Sequence, residues 1–185
     1  MSLATRYSLL ATFMIPTPED HRIAWLAALA IVIHIAESAL PSPLPGIKPG
    51  LANVITVAVL IRYGWTASAW VALLRVLVGS LLLGTFLSPT FVLSAGGALC
   101  SSVVLGLASR LPGRGLGPVG YCMLGAQAHM LGQFGLAYAL FIPHAALLHL
   151  LPVLMSASLL FGVLSGIITG TMLKALPPQH HAPAA

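Results

Sequence analysis

Long apolar runs, broken by short clusters of proline, glycine and charge, organise this chain. The pattern predicts six helices, near Arg22–Leu40, Leu51–Tyr63, Trp65–Gly84, Thr90–Ser109, Val119–Ile142 and Leu150–Leu176. A membrane span takes about 20 apolar residues. The second helix is short by that measure, so it is tilted, covered by protein, or preceded by a re-entrant segment. Pro41, Pro43, Pro45 and Pro49 forbid continuous helix between the first two elements. Ser88-Pro89 fits a helix start, serine capping and proline in the first turn. Pro112, Gly113, Gly115, Gly117 and Pro118 make the loop before the fifth helix, and Pro143 ends that helix. Pro152 either kinks the sixth helix or begins it. The expected organisation is an N-terminal segment over 1–21, a membrane domain over 22–176 and a tail over 177–185.

Composition narrows the class. Of 185 residues 58% are hydrophobic and 6% charged, with a mean hydropathy of +1.01. A soluble domain carries about 25% charged residues. A soluble enzyme, a disordered chain and a coiled coil are thereby excluded, and an all-α integral membrane protein is expected, with the lipid bilayer as its surroundings. The net charge is +5, but the basic residues are scattered singly, and nucleic-acid binding needs them clustered on one face. They follow the positive-inside pattern instead. With the N-terminus in the cytoplasm, the inner segments hold Arg6, Arg22, Arg62, Arg110, Arg114 and Lys174, and the outer loops only Lys48. Both termini are expected on the cytoplasmic side. Pro16 and Pro18 break the first stretch, which does not read as a cleaved signal peptide. Cys100 and Cys122 lie in apolar segments without metal spacing and are expected to be small buried fillers. No metal or other cofactor is expected, haem included.

Small residues recur at intervals of four. Ser158, Gly162, Gly166 and Gly170 do so in the sixth helix, and Thr90, Ser94, Ala98, Ser102 and Gly106 in the fourth. Such stripes let helices approach closely in lipid; they serve packing inside the bundle or docking of another membrane protein. In the first helix Ala24 and Ala28 form an AxxxA pair, on a wheel well away from His34 and Glu37.

A few polar residues are candidates for function. Glu37 is the one acidic residue inside a predicted helix, and Arg75 lies near the middle of the third. Ionisable groups in a bilayer face a partner or a cavity; these two are either a structural ion pair or part of a ligand site. Lys48, in the outer loop before the short helix, stands near free N–H groups at that helix's start, an arrangement suited to an anion. Asn53, one turn in, adds a donor and an acceptor. The plainer reading of that loop is a rigid turn. His129 and Gln133 share a face of the fifth helix, for hydrogen bonding between helices or for a ligand.

The runs IHIAESALPSPLPGIKPGLANVITVAVL, LLRVLVGSLLLGTFLSPTFVLSAGGAL and LGAQAHMLGQFGLAYALF carry a resemblance. The chain, over roughly residues 24–172, resembles the Gx transporter family, also labelled heptaprenyl diphosphate synthase component I. That family is similar to the substrate-binding S components of energy-coupling-factor transporters. The resemblance implies a six-helix bundle in a bacterial inner membrane. It also implies docking through an AxxxA motif, here Ala24 and Ala28, on a transmembrane coupling subunit served by ATPases. Relatives also occur in flavin- and quinone-linked electron transfer.

The enzyme half of the label meets an obstacle. Prenyl diphosphate synthases hold Mg²⁺-diphosphate on Asp-rich motifs, because hard cations take carboxylate oxygens. This chain has a single aspartate, Asp20, so autonomous prenyltransferase activity is not expected. No GxxxxGK[ST] motif is present, so any ATPase is a separate protein. The reading reached from sequence is a substrate-capture subunit of an uptake transporter. Its small-molecule ligand would be anionic and partly hydrophobic (isoprenoid, vitamin or flavin-like), held by Glu37, Lys48, Asn53, Arg75, His129 and Gln133. The alternative is a non-transporting membrane subunit of a quinone or flavin redox system, or of a heptaprenyl diphosphate synthase.

Overall fold

The computed structural model describes residues 18–39, 51–111 and 116–176. These are helical, and no strand occurs among them. The helices are α1 (Pro18–Ala39), α2 (Leu51–Tyr63), α3 (Trp65–Leu82), α4 (Pro89–Ala108), α5 (Pro118–Leu136), the short α6 (Ala145–Leu148) and α7 (Leu151–Ala175). A π-helical turn, Ala137–Phe141, continues α5.

Proline and glycine set the boundaries. Ser88 caps α4, its Oγ accepting from the Phe91 amide, and Pro89 occupies the first turn. Proline in a first turn sacrifices no helix hydrogen bond, and Pro118 and Pro152 open α5 and α7 in the same way. Pro152 therefore begins its helix and does not kink it. Gly64 alone joins α2 to α3, with φ at 88°, a backbone region that side chains bearing a Cβ rarely adopt.

Helix α2 is the axis of the bundle. Val54 to Leu60 are buried without interruption, which answers why so short an apolar helix persists: protein covers it on every side. Ile55 and Val59 pack with Ala27 and Ala30 of α1 and Ala67 and Val71 of α3. On the opposite side Val57 and Leu60 pack with Leu105 and Ala108 of α4 and Tyr121 and Cys122 of α5. Helices α5 and α7 also lie against α2, while α1–α3, α3–α4, α4–α5 and α5–α7 contacts link the helices around it.

Close backbone approach holds the ring. A Cβ at Gly162 would stand 3.0 Å from the Met123 Cα, and one at Gly166 would collide with the Val119 Cα. The α7 stripe thus serves packing inside the molecule, against α5. In α4, Gly106 lies under the Trp65 indole, whose Nε1 donates to the Ser102 carbonyl at 2.8 Å. Cys122 is buried, as expected of a filler, but Cys100 is exposed. Cys100 lies at the edge of the α4–α5 seam, its Sγ 2.8 Å from where a Gly132 Cβ would be.

The outer surface is apolar, with Trp25, Val32, Leu99, Val103, Leu107, Leu160 and Ile167 all more than half exposed. Among the described residues, four stretches are long and apolar enough to cross a membrane: Asp20–Ser38, Trp65–Leu82, Pro89–Ala108 and Ala145–Ala175. These features describe a membrane protein. Apolar burial alone does not drive such a bundle, since lipid tails are as apolar as leucine; close packing and interhelical hydrogen bonds do.

Candidate polar site

The polar residues of the bundle meet where α1, α3, α4 and α5 approach. Arg75, on α3, is buried to 7% exposure, and Glu37, on α1, to 4%. The two interact electrostatically. One α3 turn beyond Arg75, Gly79 lies beneath the His34 imidazole, with Cδ2 3.0 Å from where its Cβ would be. Glycine there lets α1 lay His34 against the α3 backbone, and His34 stands one turn before Glu37.

Helix α5 supplies the other wall. The His129 ring hydrogen-bonds to the Gly97 backbone and lies within electrostatic reach of both Arg75 and His34. A Cβ at Gly97 would stand 2.8 Å from the Gln133 Cγ and 2.9 Å from His129 Nε2. His129 and Gln133, four apart on α5, therefore both bear on one glycine of α4. One α5 turn earlier, Gly125 faces Asn53 of α2 and Ser101 of α4, whose Nδ2 and Oγ each lie 3.4 Å from its would-be Cβ.

Most polar side chains elsewhere in the bundle have partners close by. Ser68 Oγ donates to the Thr56 carbonyl at 2.9 Å, and Gln127 Nε2 to the Met155 carbonyl at 3.1 Å. Arg75 Nε and Gln127 Oε1 are different: each is buried and has no hydrogen-bond partner among the described residues, and of the two only Arg75 carries charge. A guanidinium carries five N–H donors and stays protonated, so that edge is an offer of charge and hydrogen bond held inside an apolar bundle. No cluster of three or more His, Cys, Asp or Glu suited to a metal occurs among the described residues.

The candidates from sequence are thus distributed unevenly. Glu37, Arg75, His129 and Gln133 converge, and Asn53 stands one α5 turn away. Lys48 lies outside the described residues. Ala24 and Ala28 are exposed, on a face of α1 turned away from the buried Glu37. Sequence reasoning missed Gly79, Gly97 and Gly125, the glycines on which the polar side chains rest. Their signal was glycine inside a helical pattern, which usually has a packing reason, but which residue each one faces is a tertiary fact.

Comparison with curated proteins and with solved structures returned no match. The transporter side of the resemblance accordingly rests on the sequence motifs alone. Residues 26–172 match the family model described as heptaprenyl diphosphate synthase component I. That span takes in the polar cluster and all but the ends of the helical bundle, and the chain belongs to this family.

Proposed function

We propose that this chain is the membrane-embedded, non-catalytic component of a heptaprenyl diphosphate synthase, with the prenyl transfer performed by an Asp-rich partner subunit. The observation that carries the reading is the family match over residues 26–172. Composition supports the division of labour. Asp20 is the one aspartate in the chain, and a Mg²⁺-diphosphate site needs several carboxylates. In this reading α2 and α5 complete a six-helix bundle with the four longer apolar stretches. Both termini face the cytoplasm of a bacterial cell, and the exposed Ala24–Ala28 face of α1 receives a membrane partner. Glu37, Asn53, Arg75, His129 and Gln133, with Lys48, hold the polar end of a ligand whose remainder is apolar.

The test is enzymatic. The tagged chain is isolated from its own membranes under mild detergent and given farnesyl diphosphate with labelled isopentenyl diphosphate. The expected result is chain elongation by the isolated complex and none by the chain purified alone. A complex without elongation activity contradicts the reading.

A second reading, substrate capture for an uptake system, is favoured by the unpartnered Arg75 Nε. It requires a coupling subunit with ATPases in place of the synthase partner.

A further inference from the structure

Basic residues from four helices gather at one end of the bundle. Trp65, the first residue of α3, lies on Gly106 near the end of α4, so the end of α2, the start of α3 and the end of α4 stand together. Pro118, opening α5, faces Gly170 of α7 at 3.9 Å, and Ile23 of α1 and Met172 of α7 pack on one apolar cluster. Arg22, Arg62, Arg110 and Lys174 therefore share this end. The acidic residues of the chain, Glu19, Asp20 and Glu37, are all in α1. Helix α1 packs on α2 and α3, whereas α4 packs between α3 and α5. Arg110 thus receives no carboxylate from its own helix or from either neighbour.

Arg110 also has the right surroundings for an amphiphile. It stands two residues beyond α4, which is long and apolar enough to cross a membrane. Leu99, Val103 and Leu107 precede it at helical spacing and are all more than half exposed. Residues so spaced share one face, and Arg110 is exposed as well. One strip of α4 therefore runs from open apolar side chains to a cation at the edge of the hydrocarbon. Trp65 borders that strip on the α3 side. Its bond to the Ser102 carbonyl, 2.8 Å long, fixes the indole there, and tryptophan favours the headgroup level of a bilayer. The other exposed cations lack this combination. Arg22 shares its turn with Glu19 and Asp20, while Lys174 follows the polar Thr171 and has no aromatic residue in the last two turns of its helix.

We infer that this strip binds an anionic phospholipid, with its phosphate on Arg110, its headgroup beside Trp65 and an acyl chain along Leu107, Val103 and Leu99. A guanidinium suits phosphate oxygens because its N–H groups form a planar fork. A phospholipid supplies both halves of the match, a negative head joined to an apolar tail; an acidic protein face supplies only the first. The inference does not depend on which assembly the chain joins.

Native mass spectrometry of the full chain in detergent tests it, with phosphatidylglycerol and phosphatidylcholine of the same acyl chains as probes. Phosphatidylglycerol is expected to bind at least about tenfold tighter than phosphatidylcholine. Arg110→Gln lowers phosphatidylglycerol affinity about fivefold, the weight of one basic residue at an anionic membrane surface. Arg110→Lys, which keeps the charge, loses less. Lys174→Gln, at the same end but on α7, changes the affinity by less than about twofold. Equal binding of the two lipids overturns the inference. Equal losses in Arg110→Gln and Lys174→Gln overturn it too, since they mark diffuse charge and not a site. Displacement of the lipid by glycerol 3-phosphate at matching concentration would show that the apolar strip contributes nothing. Unchanged phosphatidylglycerol binding by Arg110→Gln, with loss of a co-purified protein, would assign the strip to a protein partner instead.

Discussion

Gly97 of α4 lies directly beneath the imidazole of His129 on α5, so close that a Cβ at this position would stand 2.9 Å from Nε2. The contact fixes two things together. It sets the spacing of α4 and α5, and it aims His129 at the region that Arg75 and His34 also face. Gly97→Ala forces His129 and Gln133 to move, because the nearest atoms belong to their side chains. Overpacking of this kind costs about 1–3 kcal/mol. Gly135 has nothing within 4 Å of its would-be Cβ, and Gly135→Ala is expected to be neutral or to stabilise by about 0.5–1 kcal/mol. Thermal unfolding of the two detergent-solubilised variants checks the contrast.

Glu37 and Arg75 are both buried and lie within electrostatic reach of each other. Removing one buried charge leaves the other poorly compensated, at about 3–5 kcal/mol. Arg75→Gln and Glu37→Gln are each expected to destabilise the protein. The double variant should lose less than the sum, by at least about 1 kcal/mol. A double-mutant cycle of unfolding free energies reads this directly, and strict additivity would show the two charges to be independent.

The α5–α7 seam depends on backbone approach at Gly162 and Gly166. Gly166→Leu places a side chain into the Val119 backbone, which is not the flexible end of a neighbour. Loss of the folded, monodisperse protein in size-exclusion chromatography is expected. At Gly170 the nearest atoms lie at 3.9 Å, on the Pro118 ring, so Gly170→Ala should elute as the parent does.

Trp65 fastens the start of α3 to α4 through one hydrogen bond to the Ser102 carbonyl. Trp65→Phe keeps most of the ring contact with Gly106 and removes the donor. The expected loss is about 0.5–1.5 kcal/mol, seen as a modest fall in melting temperature.

Much of the fold was legible because proline and glycine punctuate it. The second predicted helix has the bounds of α2, and Ser88-Pro89 begins α4 through the expected cap. The end of the fifth helix was less legible. Its apolar pattern runs on to Ile142, whereas the backbone changes to a π-helical turn at Ala137, a hydrogen-bonding shift that leaves no periodic mark. The cluster was half legible. An isolated Glu or Arg in an apolar helix stands out by its cost in lipid, so Glu37 and Arg75 could be singled out. Gly79 and Gly97 could not, since a glycine inside a helix does not reveal which imidazole rests on it. Burial of a short apolar helix on all sides depends on its neighbours, which is why α2 left three alternatives open.

The measurement that bears most directly on the synthase reading is native mass spectrometry of the full complex, gently extracted from its own membranes. The account expects this chain in one assembly with an Asp-rich prenyl diphosphate synthase subunit. An assembly with a coupling protein and ATPases, and no prenyltransferase, would contradict it.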